Sequence, residues 1–139
     1  MAGSRGRPGR KESFSTRTPE QVRWDWVTLW LQRAENDLRS AELIIAGSLT
    51  SYETASFHAQ QAVEKALKAI LIRHQIEFER THNLAECASL TTYAVEARYP
   101  GGPAVEKPEA SRHLSIARES YRIVRGSLDP YLEAGRPNG

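Results

Sequence analysis

The stretch SYETASFHAQQAVEKALKAILIRH, residues 51–74, decides the fold class. Apolar side chains recur through it at Ala55, Ala59, Ala62, Val63, Ala66, Leu67, Ile70 and Leu71, the three-to-four residue spacing of one helix face. The face is wide and rich in alanine. Small side chains let a neighbouring helix approach closely, so the pattern predicts the central helix of a bundle, starting near Ser51 and ending about His74.

On the N-terminal side, Pro19 and Glu20 open a segment that runs to Gly47. Trp26, Trp30, Ala34, Leu38, Ala41 and Ile45 form its apolar stripe, and Arg33, Glu35, Asp37, Arg39 and Glu42 fill the other side. Gly47-Ser48 supplies the stop expected just past a helix end. On the C-terminal side a third helical piece is predicted from Thr81, whose hydroxyl suits a first turn, carrying Leu84, Cys87, Ala88, Leu90, Tyr93 and Val95. Pro100-Gly101-Gly102-Pro103 must break regular structure. The last helix starts at about Pro108, where Ala110, Leu114, Ala117, Tyr121, Val124 and Leu128 make a seam suited to antiparallel packing inside a bundle or across a dimer. Asp129-Pro130 is expected to end it. With no alternating strand pattern of useful length and no internal repeat, the expectation is an all-α fold, an antiparallel four-helix up-and-down bundle.

The chain has 139 residues, 40% of them hydrophobic, which is one ordinary domain able to form a core without disulfides or structural metal. Cys87 is the single cysteine, so no internal disulfide and no all-cysteine zinc site can form, in keeping with a reducing compartment. No apolar run approaches the roughly 18 to 20 residues that span a bilayer, and no secretory signal pattern opens the chain; a cytoplasmic protein with no membrane association is expected. The net charge of +2 hides an asymmetry. Residues 1–23 hold Arg5, Arg7, Arg10, Lys11, Arg17 and Arg23 against Glu12 and Glu20, and residues 1–20, rich in Gly, Pro, Ser and Thr, are expected to be a disordered basic tail. Such a tail can touch nucleic acid by counterion release or merely solvate the protein. A helical domain over 21–131 and a flexible tail over 132–139 complete the division.

The most polar-decorated stretch is 58–68. At 100° per residue, His58, Gln61, Lys65 and Lys68 fall within an arc of roughly 80°, with Glu64 beside it. This stripe has two readings. In the structural one, Glu64 and Lys68 form an i,i+4 ion pair while Gln61 and His58 satisfy buried polar groups. In the functional one, the row of donors faces a groove or partner and holds phosphate. A second cluster, Arg80-Thr81-His82, joins a helix N-terminus to a cation and an imidazole, the chemistry of an anion site or of a plain capping turn. A third, Arg98-Tyr99-Pro100, sets a guanidinium and a ring at a loop entrance, suited to stacking on a base, to pairing with a carboxylate, or to an interior salt bridge with Glu64 or Glu96. No Walker or dinucleotide glycine pattern, HExxH, Cys/His metal spacing or nucleophile elbow occurs. Neither a metal nor a cofactor is expected.

Taken in order, these pieces resemble the HEPN family, the higher-eukaryote and prokaryote nucleotide-binding domain. Ala34-x-x-Asp37-Leu38-x-x-Ala41 is similar to the family's first-helix signature, and Phe57-His58-Ala59-Gln60-Gln61-Ala62-Val63-Glu64-Lys65-Ala66-Leu67-Lys68-Ala69 to its second helix. Thr81-His82-Asn83-Leu84 resembles the Thr-His-Asp-Leu turn, with Asn83 in place of Asp, and Ala97-Arg98-Tyr99-Pro100 the Arg-Tyr-Pro element before the last helix, which Glu109-Ala110 begins. The resemblance covers about residues 22–131.

The resemblance implies a helical bundle, commonly a homodimer, paired with a small nucleotidyltransferase in a toxin-antitoxin type system, with nucleotide or RNA as ligand. The candidate binding residues are Lys65, Lys68, Arg98, Tyr99, His82, His58 and Gln61, and Asp37 and Glu64 are candidate structural polar groups. Two departures bear on activity. The family's ribonucleases use Arg-x(4–6)-His, and no arginine stands at that separation before His58, His74, His82 or His113. Only Ala85 to Ala97 separate the Thr-His-Asn-Leu turn from Arg-Tyr-Pro, which implies one shortened helix, either covered by a partner subunit, with the last-helix seam and Trp24, Trp26 and Trp30 serving the dimer, or leaving apolar surface exposed. The function expected is a dimeric nucleotide- or RNA-binding module without the usual ribonuclease motif. Two alternatives stay open: a metal-independent RNase toxin in which His82 acts with Arg80 or Arg98, and an assembly protein whose polar stripe is structural.

Overall fold

The computed structural model describes residues 16–74 and 104–138. Three helices fill them: α1 (Pro19–Ala46), α2 (Glu53–Arg73) and α3 (Lys107–Ala134). No strand occurs among the described residues. The expected third helix, its breaker, and Arg80, Thr81, His82, Cys87, Arg98 and Tyr99 lie outside them.

A reciprocal cap starts α1. The Thr18 hydroxyl accepts from the Gln21 amide at 3.1 Å, and the Gln21 side chain accepts from the Thr18 amide at 3.0 Å; together they satisfy two of the donors a helix start leaves open. Gln21 also donates to the Pro137 carbonyl, and Asp25 receives Arg17 from just before α1 and Arg136 from just after α3. Bonding to Arg136 first, and to Arg17, holds the Asp25 carboxyl below its usual range despite some desolvation.

Two core clusters fix the helix directions. In one, Leu38 and Ala41 of α1 meet Ala55, Ala59 and Ala62 of α2 and Ala110, Leu114 and Ala117 of α3. In the other, Val27, Leu31 and Ala34 meet Ala66, Ala69 and Ile70, with Val124 and Leu128. The start of α1 thus lies beside the ends of both α2 and α3, so α1 is antiparallel to the other two, which are parallel to each other. Five fully buried alanines run down α2 at steps of four and three, and the backbones they bring close confirm α2 as the central helix. Tyr52 joins the pieces at the other end. Its hydroxyl donates to the Gly47 carbonyl and accepts from the Leu49 amide, while its own amide donates to the Val105 carbonyl at 2.9 Å.

The structure corrects several sequence expectations. The buried face of α1 is Val27, Leu31, Ala34, Asp37, Leu38 and Ala41, so it is rotated from the expected stripe: Trp26 is 46% exposed, and Asp37, expected among the solvent-facing charges, is 7% exposed. The cause is the α1–α2 seam, where a carboxylate meets two donors from α2. The seam of α3 is used inside the chain, its Ala110, Leu114, Ala117, Val124 and Leu128 packed on α1 and α2, so it is not available to a dimer. Pro130 does not end α3, which continues to Ala134. A proline inside a helix removes the hydrogen bond to the carbonyl four residues earlier and costs about 3 kcal/mol. Here that residue is Gly126, exposed like Pro130, so the freed carbonyl meets water, while Leu128, Tyr131 and Leu132 pack on the core and keep the helix going.

A buried polar pair links α2 to α3: Ser56 Oγ lies 2.7 Å from His113 Nδ1, each side chain about 2% exposed. Burial, helped by the Arg112 guanidinium and opposed by Glu109, holds the His113 imidazole below its ordinary value of 6.5. The neutral ring is therefore the native one. This contribution to stability is complete above about pH 6.5 and declines as pH falls towards the folded-state value, because the unfolded chain takes up the proton first. His113→Gln is expected to show a smaller drop in melting temperature between pH 7 and pH 5 than the parent; equal drops would exclude His113 as a source of acid sensitivity.

Candidate functional site

The site grows from the α1–α2 seam on the side away from α3. Asp37 is placed one helix turn from Ala34 and Ala41, whose fully buried methyl groups bring α2 close. Its carboxylate bridges two positions of α2 that are two turns apart: Oδ1 lies 2.7 Å from His58 Nδ1, and Oδ2 accepts from Lys65 Nζ at 2.6 Å. Each oxygen thus has its own partner. The Asp37 side chain is 9% exposed, against 29% for His58 and 27% for Lys65, so the acceptor is sealed while both donors reach the surface. A nearly buried carboxylate needs such partners, since an unpaired one would neutralise or unfold its surroundings.

Further along α2 the seam turns aromatic. Lys68 Nζ sits 4.6 Å from the centre of the Trp30 ring and Arg33 Cζ 6.0 Å from it, both within cation–π range. Trp30 stacks on Trp26 at 6.4 Å between centroids and 25° between planes. Beyond them an open groove of about 770 Å³ is lined by Arg17, Pro19, Val22, Arg23, Trp26, Trp30 and Ile72.

The expected stripe is therefore split between two surroundings. His58 and Lys65 join Asp37, Lys68 joins the tryptophans, and Gln61 lies half-buried on the same helix side. The expected Glu64–Lys68 ion pair gives way to other contacts: Glu64 accepts from Gln60, one turn earlier, and Lys68 is drawn over Trp30. Gln60 is fully buried and its Oε1 has no hydrogen-bond partner. The tryptophan platform was not singled out as a site from sequence. Its signal lies in Trp26, Trp30 and Arg33 of α1 and Lys68 of α2, and only the fold brings Lys68 alongside the other three. His82, Arg98 and Tyr99 lie outside the described residues.

Among the described residues no group of three or more His, Cys, Asp or Glu side chains could hold a metal ion, and no helix is long and apolar enough to cross a membrane.

Comparison with known proteins finds similarity over this seam. A curated Methanocaldococcus jannaschii protein described as a "putative toxin" is 40% identical over 55 residues, which make up 40% of this chain. The chain covers 35% of the length of that relative. No solved structure matches the chain. The HEPN domain model matches residues 27–90, which take in most of α1, including Asp37, and all of α2, including His58 and Lys65. Over that range the chain is similar to the HEPN domain.

Proposed function

We propose that this chain is a HEPN module that dimerises, binds nucleotide or RNA through its phosphates, and acts in the cytoplasm with a separate small nucleotidyltransferase as a toxin-antitoxin type pair, without the usual ribonuclease motif. The HEPN match over α1 and α2 and the relative described as a toxin support the pairing. The observation that carries the binding is the α1–α2 seam. There one carboxylate holds His58 and Lys65 at the surface, and the exposed Lys68 follows them on the same helix side. Lys68 and Gln61 supply donors to a ligand, His58 and Lys65 are positioned by Asp37, and His82, Arg98 and Tyr99 complete the set from the segment after α2. Glu64, bonded to Gln60, is structural.

A four-helix up-and-down bundle is part of the same proposal. In that topology the second and fourth helices run parallel, as α2 and α3 do. The end of α2 and the start of α3 lie at opposite ends of the molecule, about 30 Å apart by the rise of a helix as long as α2, a span suited to one further helix.

The test is retention of labelled total RNA on the purified protein at low salt, without added metal, followed by sizing of the RNA. Binding with the RNA intact is expected, and affinity should fall steeply as salt rises because phosphate contacts release counterions. Absence of binding would end this reading. The relative's description as a toxin favours one second reading, an RNase built on His82 with Arg80 or Arg98. Growth arrest on expression, relieved by His82→Ala, together with RNA cleavage, would replace the first reading with it.

A further inference from the structure

The groove at the far end of the seam combines features that are costly apart. Trp26 is the exposed member of a stacked indole pair, so a flat aromatic face is open to solvent at the groove. Around it the charge is one-sided. Arg17 and Arg23 line the groove, and Lys68 and Arg33 sit over Trp30. Arg73 lies 4.3 Å over the Tyr131 ring, and Arg136 is bound to Asp25. Asp25 is already shared between Arg17 and Arg136, so it offsets one of the two. Arg17 adds a second sign of an unfilled site: its Nη1 bonds Asp25 at 2.7 Å, while its Nε is buried with no acceptor.

We infer that the Trp26–Trp30 groove is a stacking site for an unpaired nucleobase of a single-stranded nucleic acid, with Arg17 and Arg23 facing the adjoining phosphates. The inference rests on the nucleic-acid reading above and assigns it a site away from Asp37, His58 and Lys65. A base offers a flat face to the indole, and its strand offers the negative charge the arginines lack; stacking of this kind is tolerant of sequence. The groove's volume of about 770 Å³ falls inside the roughly 300 to 1,000 Å³ of small-ligand sites. A second copy of the same face fits poorly, because a two-fold contact would bring arginine against arginine.

The experiment titrates a short fluorescent oligoadenylate strand into the full chain at low salt, with anisotropy giving affinity and tryptophan emission reporting stacking. Emission should be quenched on binding, and Trp26→Ala should weaken affinity by about tenfold or more, with Trp26→Phe within about threefold of the parent because a ring remains. Arg23→Ala should lower the slope of log affinity against log salt by about 0.7. Since Trp26 is half in solvent, its removal leaves the core in place, and an unchanged melting temperature checks that. A parent that binds with Trp26→Ala binding equally well overturns this site and leaves the broader nucleic-acid function standing. A parent that does not bind overturns both. Unchanged affinity with an altered oligomeric state in Trp26→Ala would give the groove to a second copy instead.

Discussion

Asp37→Ala is expected to lower stability by about 2–4 kcal/mol. Removing one partner of a buried ion pair typically costs about 3–5 kcal/mol, because the charge left behind keeps its desolvation without its partner. Here the partners left behind, His58 and Lys65, are more than a quarter exposed, so water takes up part of the loss and the figure falls below that range. For a chain of this length the melting temperature should drop by roughly 10 °C. Asp37→Asn retains the shape and one acceptor oxygen and should lose less. The check is urea or thermal unfolding of the three proteins side by side. A loss under about 1 kcal/mol for the alanine variant would mean that the carboxylate is not what fastens α1 to α2. Asp37→Ala also frees both donors, so it should disturb any ligand that depends on their placement.

The second large effect separates two neighbours. Ile70→Ala should cost about 2–4 kcal/mol, since Ile70 is fully buried between α1 and α3 and a cavity replaces it. Leu71→Ala should cost under about 1 kcal/mol, because Leu71 is 40% exposed and leaves no enclosed space. Urea midpoints decide it. Similar losses at both positions would mean that α2 is rotated about its axis from the arrangement described.

That pair also shows how far sequence alone carries. Periodicity placed α2 within two residues at each end and picked its alanine face correctly, because Ala55, Ala59, Ala62 and Ala66 repeat at helical spacing and all face the neighbours. The same periodicity put Leu71 in that face, since a wide apolar arc gives no edge until a neighbour defines one. In α1 the tryptophans misled for a related reason. Trp26 and Trp30 are the largest apolar side chains there, yet the smaller Val27 and Leu31 fill the core, and the rings lie along its rim. The motif containing Asp37 pointed to a polar structural role, but its bond to His58 joins residues 21 positions apart, which no local rule states. Pro130 went wrong in the opposite sense: a sound local rule for stopping a helix yielded to Leu128 and Leu132 packing on the core. His82, Arg98 and Tyr99 lie outside the described residues, and their place in the site stays a proposal.

Asp25 receives Arg17 and Arg136, and Gln21 donates to the Pro137 carbonyl. The first two turns of α1 are thereby laced to the stretch following α3, across a separation of more than a hundred residues. Helix ends ordinarily fray one by one, each at the low local cost of a terminal turn. Here neither end can peel back without stripping bonds from the other, so the two behave as a single opening unit. An otherwise loose extremity becomes part of the cooperative whole.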